Sequence, residues 1–188
     1  MLDEVDAAQL KRIVNLLRWR RHPAAAPAEH IEKQYHDVME KTSNPAVRDF
    51  VDWRIGGRAA MAALRLKALG QATPPAKHWG AGRLVKMIET NWAKSEVGAS
   101  ALFPWLAEAR QLLANDDAIS LERIQMAAVW RRLSILGEIN PFGFEYVAAY
   151  VFKWDILQRW ISYEPHEARQ RFRKLITEVI DEHQLSCN

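Results

Sequence analysis

With 188 residues, 49% hydrophobic and 26% charged, and only Gly 8 and Pro 8, the chain has the composition of an ordinary globular protein of one domain or two small ones. Collagen-like, low-complexity and largely disordered chains are excluded. Lys+Arg 26 against Asp+Glu 23 leaves a formal net charge of +3, which permits an acidic partner without requiring one and by itself gives nucleic-acid binding little support.

Apolar residues recur at helical spacing almost throughout, so the chain is expected to be an all-α bundle of about seven to eight helices. A first helix is expected from Asp3 to Arg21 with Leu10, Ile13, Val14 and Leu17 inward, broken by His22-Pro23. A second runs from Ala28 to Lys41 on Ile31, Tyr35, Val38 and Met39. Asn44 then caps a third, with Pro45 in its first position, that reaches Leu69 and stops at Gly70. Its stripe of Phe50, Trp53, Gly57, Ala60 and Leu64 is small enough for another helix to approach closely. The Pro-containing stretch 71–78 is the natural linker, a place for a subdivision of what otherwise reads as a single domain over 1–188.

Beyond it, helices are expected from Ala81 to Lys94, from Leu102 to Ala114, and from a Ser120 cap to Leu136, closed by Gly137 and Asn140-Pro141-Phe142-Gly143. The next, Phe144 to Tyr163, is apolar on several sides. Val147, Tyr150, Val151, Trp154, Leu157 and Ile161 form one face and Phe152, Ile156 and Trp160 a neighbouring one, so this helix is expected to be central to its bundle. Glu164-Pro165 starts a last amphipathic helix with Phe172, Leu175, Ile176, Val179 and Ile180 inward.

Reactive chemistry finds little footing. Neither a P-loop nor a G-x-G-x-x-G pattern is present, and Gly80-Ala81-Gly82 is too short to stand for one. No serine occupies a G-x-S-x-G turn, and Cys187, the single cysteine, allows neither an intramolecular disulfide nor a thiolate-rich metal site. His166 and His183 read as surface or capping residues. Glu29, His30, Glu32, His36 and Asp37 share one helix, but the Glu32–His36 spacing is four rather than the three of carboxylate-bridged helical sites. No metal and no cofactor is therefore expected. The start Met1-Leu2-Asp3-Glu4 lacks a basic signal region and no apolar run nears the ~20 residues of a bilayer span, so a cytoplasmic chain without direct membrane insertion is expected.

Basic and aromatic residues offer better candidates. Arg18, Arg20, Arg21 and His22 end the first helix beside Trp19, where cations complement the helix dipole. Arg54, Arg58 and Arg65 share a face of the third helix and suit an acidic partner helix. Of the tryptophans, Trp 8 in all, Trp53, Trp130, Trp154 and Trp160 fall in inward stripes. Trp79, Trp92 and Trp105 lie near element ends as candidate exposed anchors.

One part of the pattern resembles a known family. It comprises Glu122-Arg123-Ile124-Gln125-Met126-Ala127-Ala128-Val129-Trp130, Asn140-Pro141-Phe142, the helix from Tyr146 through Tyr150-Val151-Phe152-Lys153-Trp154 to Ile161, and Phe172-Arg173-Lys174-Leu175-Ile176. This is similar to an uncharacterised bacterial family encoded beside V/A-type ATPase subunits. That family is itself similar to the central-stalk component known as C in archaeal-type enzymes and as d in eukaryotic ones. Asn44-Pro45, Phe50, Trp53 and Arg65-Leu66-Lys67 extend the likeness to the earlier helix. The resemblance implies a helical fold like that of the C/d stalk component of V/A-type ATPases, corresponding to one lobe, a fragment or a reduced relative of the whole. It implies a non-catalytic adaptor whose partners are the central-shaft and membrane-ring subunits, peripheral to the inner membrane through the complex. Two functions compete with it: a basic helical nucleic-acid-binding module built on Arg18 to His22, and a helical metal-dependent enzyme using Glu32 and His36.

Overall fold

The computed structural model describes residues 3–18, 28–77 and 79–163, in which all the regular secondary structure is helical: seven α-helices and no strand. α1 (Glu4–Leu17) begins where the Asp3 side chain accepts the Asp6 N–H at 2.7 Å, with Glu4 and Asp6 complementing the positive end of the helix dipole. It ends short of the expected Arg21 because Arg18 leaves the helical conformation while its N–H still reaches the Val14 carbonyl. α2 spans Ala28–Lys41 as expected and buries Tyr35 and Val38.

α3 (Pro45–Ala68) has the anticipated cap: the Asn44 side chain accepts the Val47 N–H at 3.0 Å and Pro45 occupies the first turn. At its other end the Gly70 N–H meets the Lys67 carbonyl and the Gln71 N–H the Leu66 carbonyl, a Schellman closure. The Gly56-Gly57 pair leaves the helix unbroken. Its purpose is proximity: a Cβ on residue 57 would stand 3.2 Å from the Phe103 ring and one on residue 56 would stand 2.5 Å from the Leu84 side chain.

The middle of the chain is more irregular than its periodicity suggests. α4 is limited to Leu84–Thr90 and α5 to Leu106–Ala114, so both start later than expected and α4 also ends earlier. The Asn91 amide donates to the Met87 carbonyl, and the Lys67 ammonium takes the carbonyls of Trp92 and Lys94 at 2.8 and 2.5 Å. Side chains thus satisfy the backbone groups that another helical turn would have used. In the turns that follow, Val97 adopts φ +48° although it is β-branched and fully buried. α6 (Ala118–Ile139) starts one turn earlier than its expected Ser120 cap. Asp117 is the cap, and the Ser120 N–H it accepts holds its carboxyl below the usual range. Gly137 lies inside α6 rather than ending it.

The chain divides into two compact units, Met1–Tyr150 and Val151–Asn188, with the boundary inside α7 (Phe144–Tyr163). In the first unit α1, α4, α5 and α6 pack on α3, and α2 packs on α1. The core joins Ala60, Ala63 and Leu64 of α3 to Ile88, Phe103, Leu106 and Ala109. Of the second unit, 151–163 are described; Phe152 and Ile156 are buried and Trp154 and Ile161 exposed. The expected final helix from Glu164 lies outside the described residues, as do Trp19 to His22, His166, His183 and Cys187. No helix among the described residues is long and apolar enough to cross a membrane.

α7 is not buried on both apolar faces as expected: Phe152 and Ile156 of one are buried, whereas Tyr150, Trp154 and Ile161 of the other are exposed. Phe144, Ala148, Ala149 and Phe152 turn inward, while Tyr146, Tyr150, Trp154 and Ile161 are at least half exposed. In the first unit a Cβ on Gly137 would stand 3.4 Å from the Ala149 Cβ and 3.8 Å from the Tyr146 ring, so α6 meets α7 along the Tyr146–Ala149 edge.

Phe103 is fully buried and rests against both Trp53 and Trp105 with ring centroids 5.6 and 5.9 Å away. Phe103→Ala is expected to cost about 3–5 kcal/mol of stability, read as a lowered midpoint in urea unfolding with little change in slope.

Candidate functional site

Four polar or charged residues are buried among those described: Gln9, Thr42, Asp52 and Glu145. Asp52 lies in the apolar run of α3, 3% exposed, where an unpaired carboxylate would be costly. Its Oδ1 accepts the Tyr35 hydroxyl of α2 at 2.6 Å, and its Oδ2 takes the Arg83 Nε at 2.6 Å and the Arg83 terminal nitrogen. Burial first, then the bond to Asp52, push the Tyr35 phenol well above its ordinary value; the same carboxylate raises Arg83. With the phenol proton and the guanidinium both committed to Asp52, the cluster reads as a tie between α2, α3 and the start of α4.

Gln9 makes a second tie, its side-chain oxygen accepting the Ser43 N–H at 2.9 Å. Asn44 makes a third. While its oxygen caps α3, its nitrogen donates to Glu145 Oε1 of α7 at 2.7 Å. Burial, then the charges of Asp3 and Glu145, raise Asp6, so this end of the unit concentrates carboxylates.

The arginine stripe of α3 is split by the structure. Arg58 turns to the carbonyls of Leu16, at 3.3 Å, and Leu17, closing the C-terminal end of α1 where a cation is favoured. It is a structural residue and not an outward contact. Arg54 is half-buried and Arg65 exposed. Arg132, by contrast, pairs with Asp49 and lies 5.9 Å from the Trp53 ring centroid.

The proposed tryptophan anchors are also redistributed. Trp92 is a core residue, 4% exposed, with its indole N–H on the Gln71 carbonyl at 3.2 Å. Trp79 stands edge-on to it at 5.6 Å, donates to Glu89 at 3.0 Å and is half-buried, as is Trp105. Conversely Trp154, expected in the core, is 52% exposed. Trp53 and Trp130 are half-buried.

The outward aromatic surface of the first unit is therefore elsewhere. Phe142, in the turn between α6 and α7, is 99% exposed, and Tyr146 and Tyr150 follow on α7 at 50% and 61%. In the sequence Phe142 reads as part of a helix-closing signal and of the segment that carries the family resemblance. A phenylalanine between Asn-Pro and Gly, in a turn that must lie at the surface, is nevertheless the clue to an exposed ring.

The α2 carboxylates and histidines stay apart: His30 bonds Gln34, Asp37 pairs with Lys41, and His36 stands edge-on to Tyr35. Among the described residues no three His, Cys, Asp or Glu side chains are placed to hold a metal ion. The basic cluster at 18–22 is outside the described residues apart from Arg18, which closes α1.

These assignments separate structural from surface cations. Arg58→Met is expected to cost about 1–2 kcal/mol by leaving the Leu16 and Leu17 carbonyls without their cation, whereas Arg65→Ala should stay within about 0.5 kcal/mol, both measured by urea unfolding. Tyr35→Phe is expected to cost about 1–3 kcal/mol at neutral pH. Because Tyr35 is raised in the folded state, its contribution is complete below the unfolded phenol value of about 10 and declines above it. The gap between wild type and Tyr35→Phe should therefore narrow as pH rises above about 10. Comparison with family models, curated proteins and solved structures finds no match to the chain.

Proposed function

We propose that this chain is a non-catalytic helical adaptor of a bacterial V/A-type rotary ATPase, linking the central shaft to the membrane ring as a relative of the C/d stalk component. Two things support the reading. The residues from Glu122 to Ile161 carry the aromatic and aliphatic pattern described above, and they form two long helices, α6 and α7, joined by a tight turn. The observation that carries it is the outward placement of Phe142, Tyr146 and Tyr150, while Asp52, Glu145, Arg58 and Lys67 are committed to ties within the chain. Large rings held on rigid helices are the side chains on which protein interfaces depend most. In this role the protein is cytoplasmic and reaches the inner membrane only through the complex.

The test is a pull-down of the tagged full chain from native membranes in mild detergent at moderate salt, with retained proteins identified by mass spectrometry. Shaft and ring subunits are expected in the eluate. ATP hydrolysis by the purified chain alone, or recovery of nucleic acid whose binding falls steeply with salt, would overturn the reading.

A further inference from the structure

The turn between α6 and α7 holds the backbone of its phenylalanine in place. Pro141 sets the backbone before Phe142, and the Gly143 N–H returns to the Asn140 carbonyl at 3.0 Å. Gly143 is wedged between the Asn140 amide and Glu145: a Cβ there would stand 2.7 Å from Glu145 Oε2 and would also strike Asn140. Glu145 is itself held by Asn44, the cap of α3. The backbone that carries this fully exposed ring is thus tied through three residues to the central helix, so the turn itself need not be ordered on binding.

The surroundings of the ring define what it can meet. From residue 133 to 152 the sequence has no Lys, Arg or His. Glu138 is exposed in this stretch, and Asp6 of α1 is raised by burial first and then by the charges of Asp3 and of Glu145. Among the described residues Lys41, at the end of α2, is paired with Asp37, and Arg48 is an exposed cation in the adjoining first turn of α3. An apolar ring in an acidic collar is repelled by an anionic lipid surface, which attracts basic residues instead. In a symmetric pair of copies the two collars would oppose each other. We propose that Phe142 is a knob that seats in an apolar socket of a protein partner whose rim carries Lys or Arg, an inference that rests on the adaptor reading and names the chemistry of its contact.

The experiment places benzoylphenylalanine at position 142 of the full chain in its native cells, with position 69 as control because Leu69 is 82% exposed and remote in sequence. After irradiation, position 142 should crosslink to one protein, at a peptide that combines apolar side chains with Lys or Arg, and position 69 should not. With that purified protein as probe, Phe142→Ser should weaken binding about 30-fold or more, and Glu138→Lys several-fold, without changing the melting temperature. A crosslink to lipid, to a second copy or to nothing overturns the knob, as does unchanged binding by Phe142→Ser or tighter binding by Glu138→Lys. If the crosslinked protein is a shaft or ring subunit, both proposals stand. If it is another protein and the pull-down retains no shaft or ring subunit, the ATPase assignment falls and the knob stands; if the pull-down retains ATPase subunits while position 142 crosslinks to no protein, the reverse holds.

Discussion

Everything in the first unit depends on how near its neighbours can come to α3. Along the middle of that helix Gly56, Gly57, Ala59, Ala60 and Ala63 leave almost no side-chain bulk, and Leu84 and Phe103 lie directly on its surface. Close approach increases dispersion contact but leaves wedge-shaped space where the helices diverge. Phe50, Trp53, Phe103 and Trp105 fill those wedges, in ring pairs with centroids 5.6 to 6.4 Å apart. Two of the eight tryptophans, Trp53 and Trp105, thus follow from the smallness of α3.

Smooth apolar surfaces specify burial better than they specify register. The polar side chains supply what is missing, each joining elements distant in sequence: Gln9 to Ser43, Tyr35 and Arg83 to Asp52, Arg58 to the end of α1, Lys67 to the turn after α4, Asn44 to Glu145. Half-satisfied networks of this kind would be worse than an apolar core, so each member constrains the others. The cost is that these groups are no longer available for chemistry at the surface, where aromatic side chains carry the recognisable features.

How much of this the sequence disclosed depends on how local the signal was. The Asn44-Pro45 start and the Gly70 stop of α3 are written in adjacent residues, and both were legible. The early end of α4 was not, because Lys67 satisfies the Trp92 and Lys94 carbonyls from outside the periodic pattern. For α7 the hydrophobic pattern was ambiguous in principle. With apolar residues on several sides, the meeting with α6 along the Tyr146–Ala149 edge and the reach of Glu145 to Asn44 decide which face turns in. Arg58 departs from the Arg54, Arg58 and Arg65 stripe for a similar reason, since it is claimed by a helix end 41 residues away in sequence. Asp52 offered a usable warning: a carboxylate in the run Phe50-Val51-Asp52-Trp53 needs buried partners wherever it sits.

Val97 places two demands on one residue that pull in opposite directions. Its left-handed backbone, φ +48°, costs a β-branched residue about 1–3 kcal/mol, while its fully buried side chain returns about 1.5–3 kcal/mol from exclusion of water. Glycine or asparagine would relax the chain there and loosen the core by a comparable amount. The neighbouring Gly98, at φ +72° and with Asn91 against it, offers no room to absorb the difference. Replacement at this turn is therefore tolerated most readily in pairs, a relaxed residue at 97 together with a bulkier one facing it, so that relatives of this chain would be expected to vary here in a correlated way and not one position at a time.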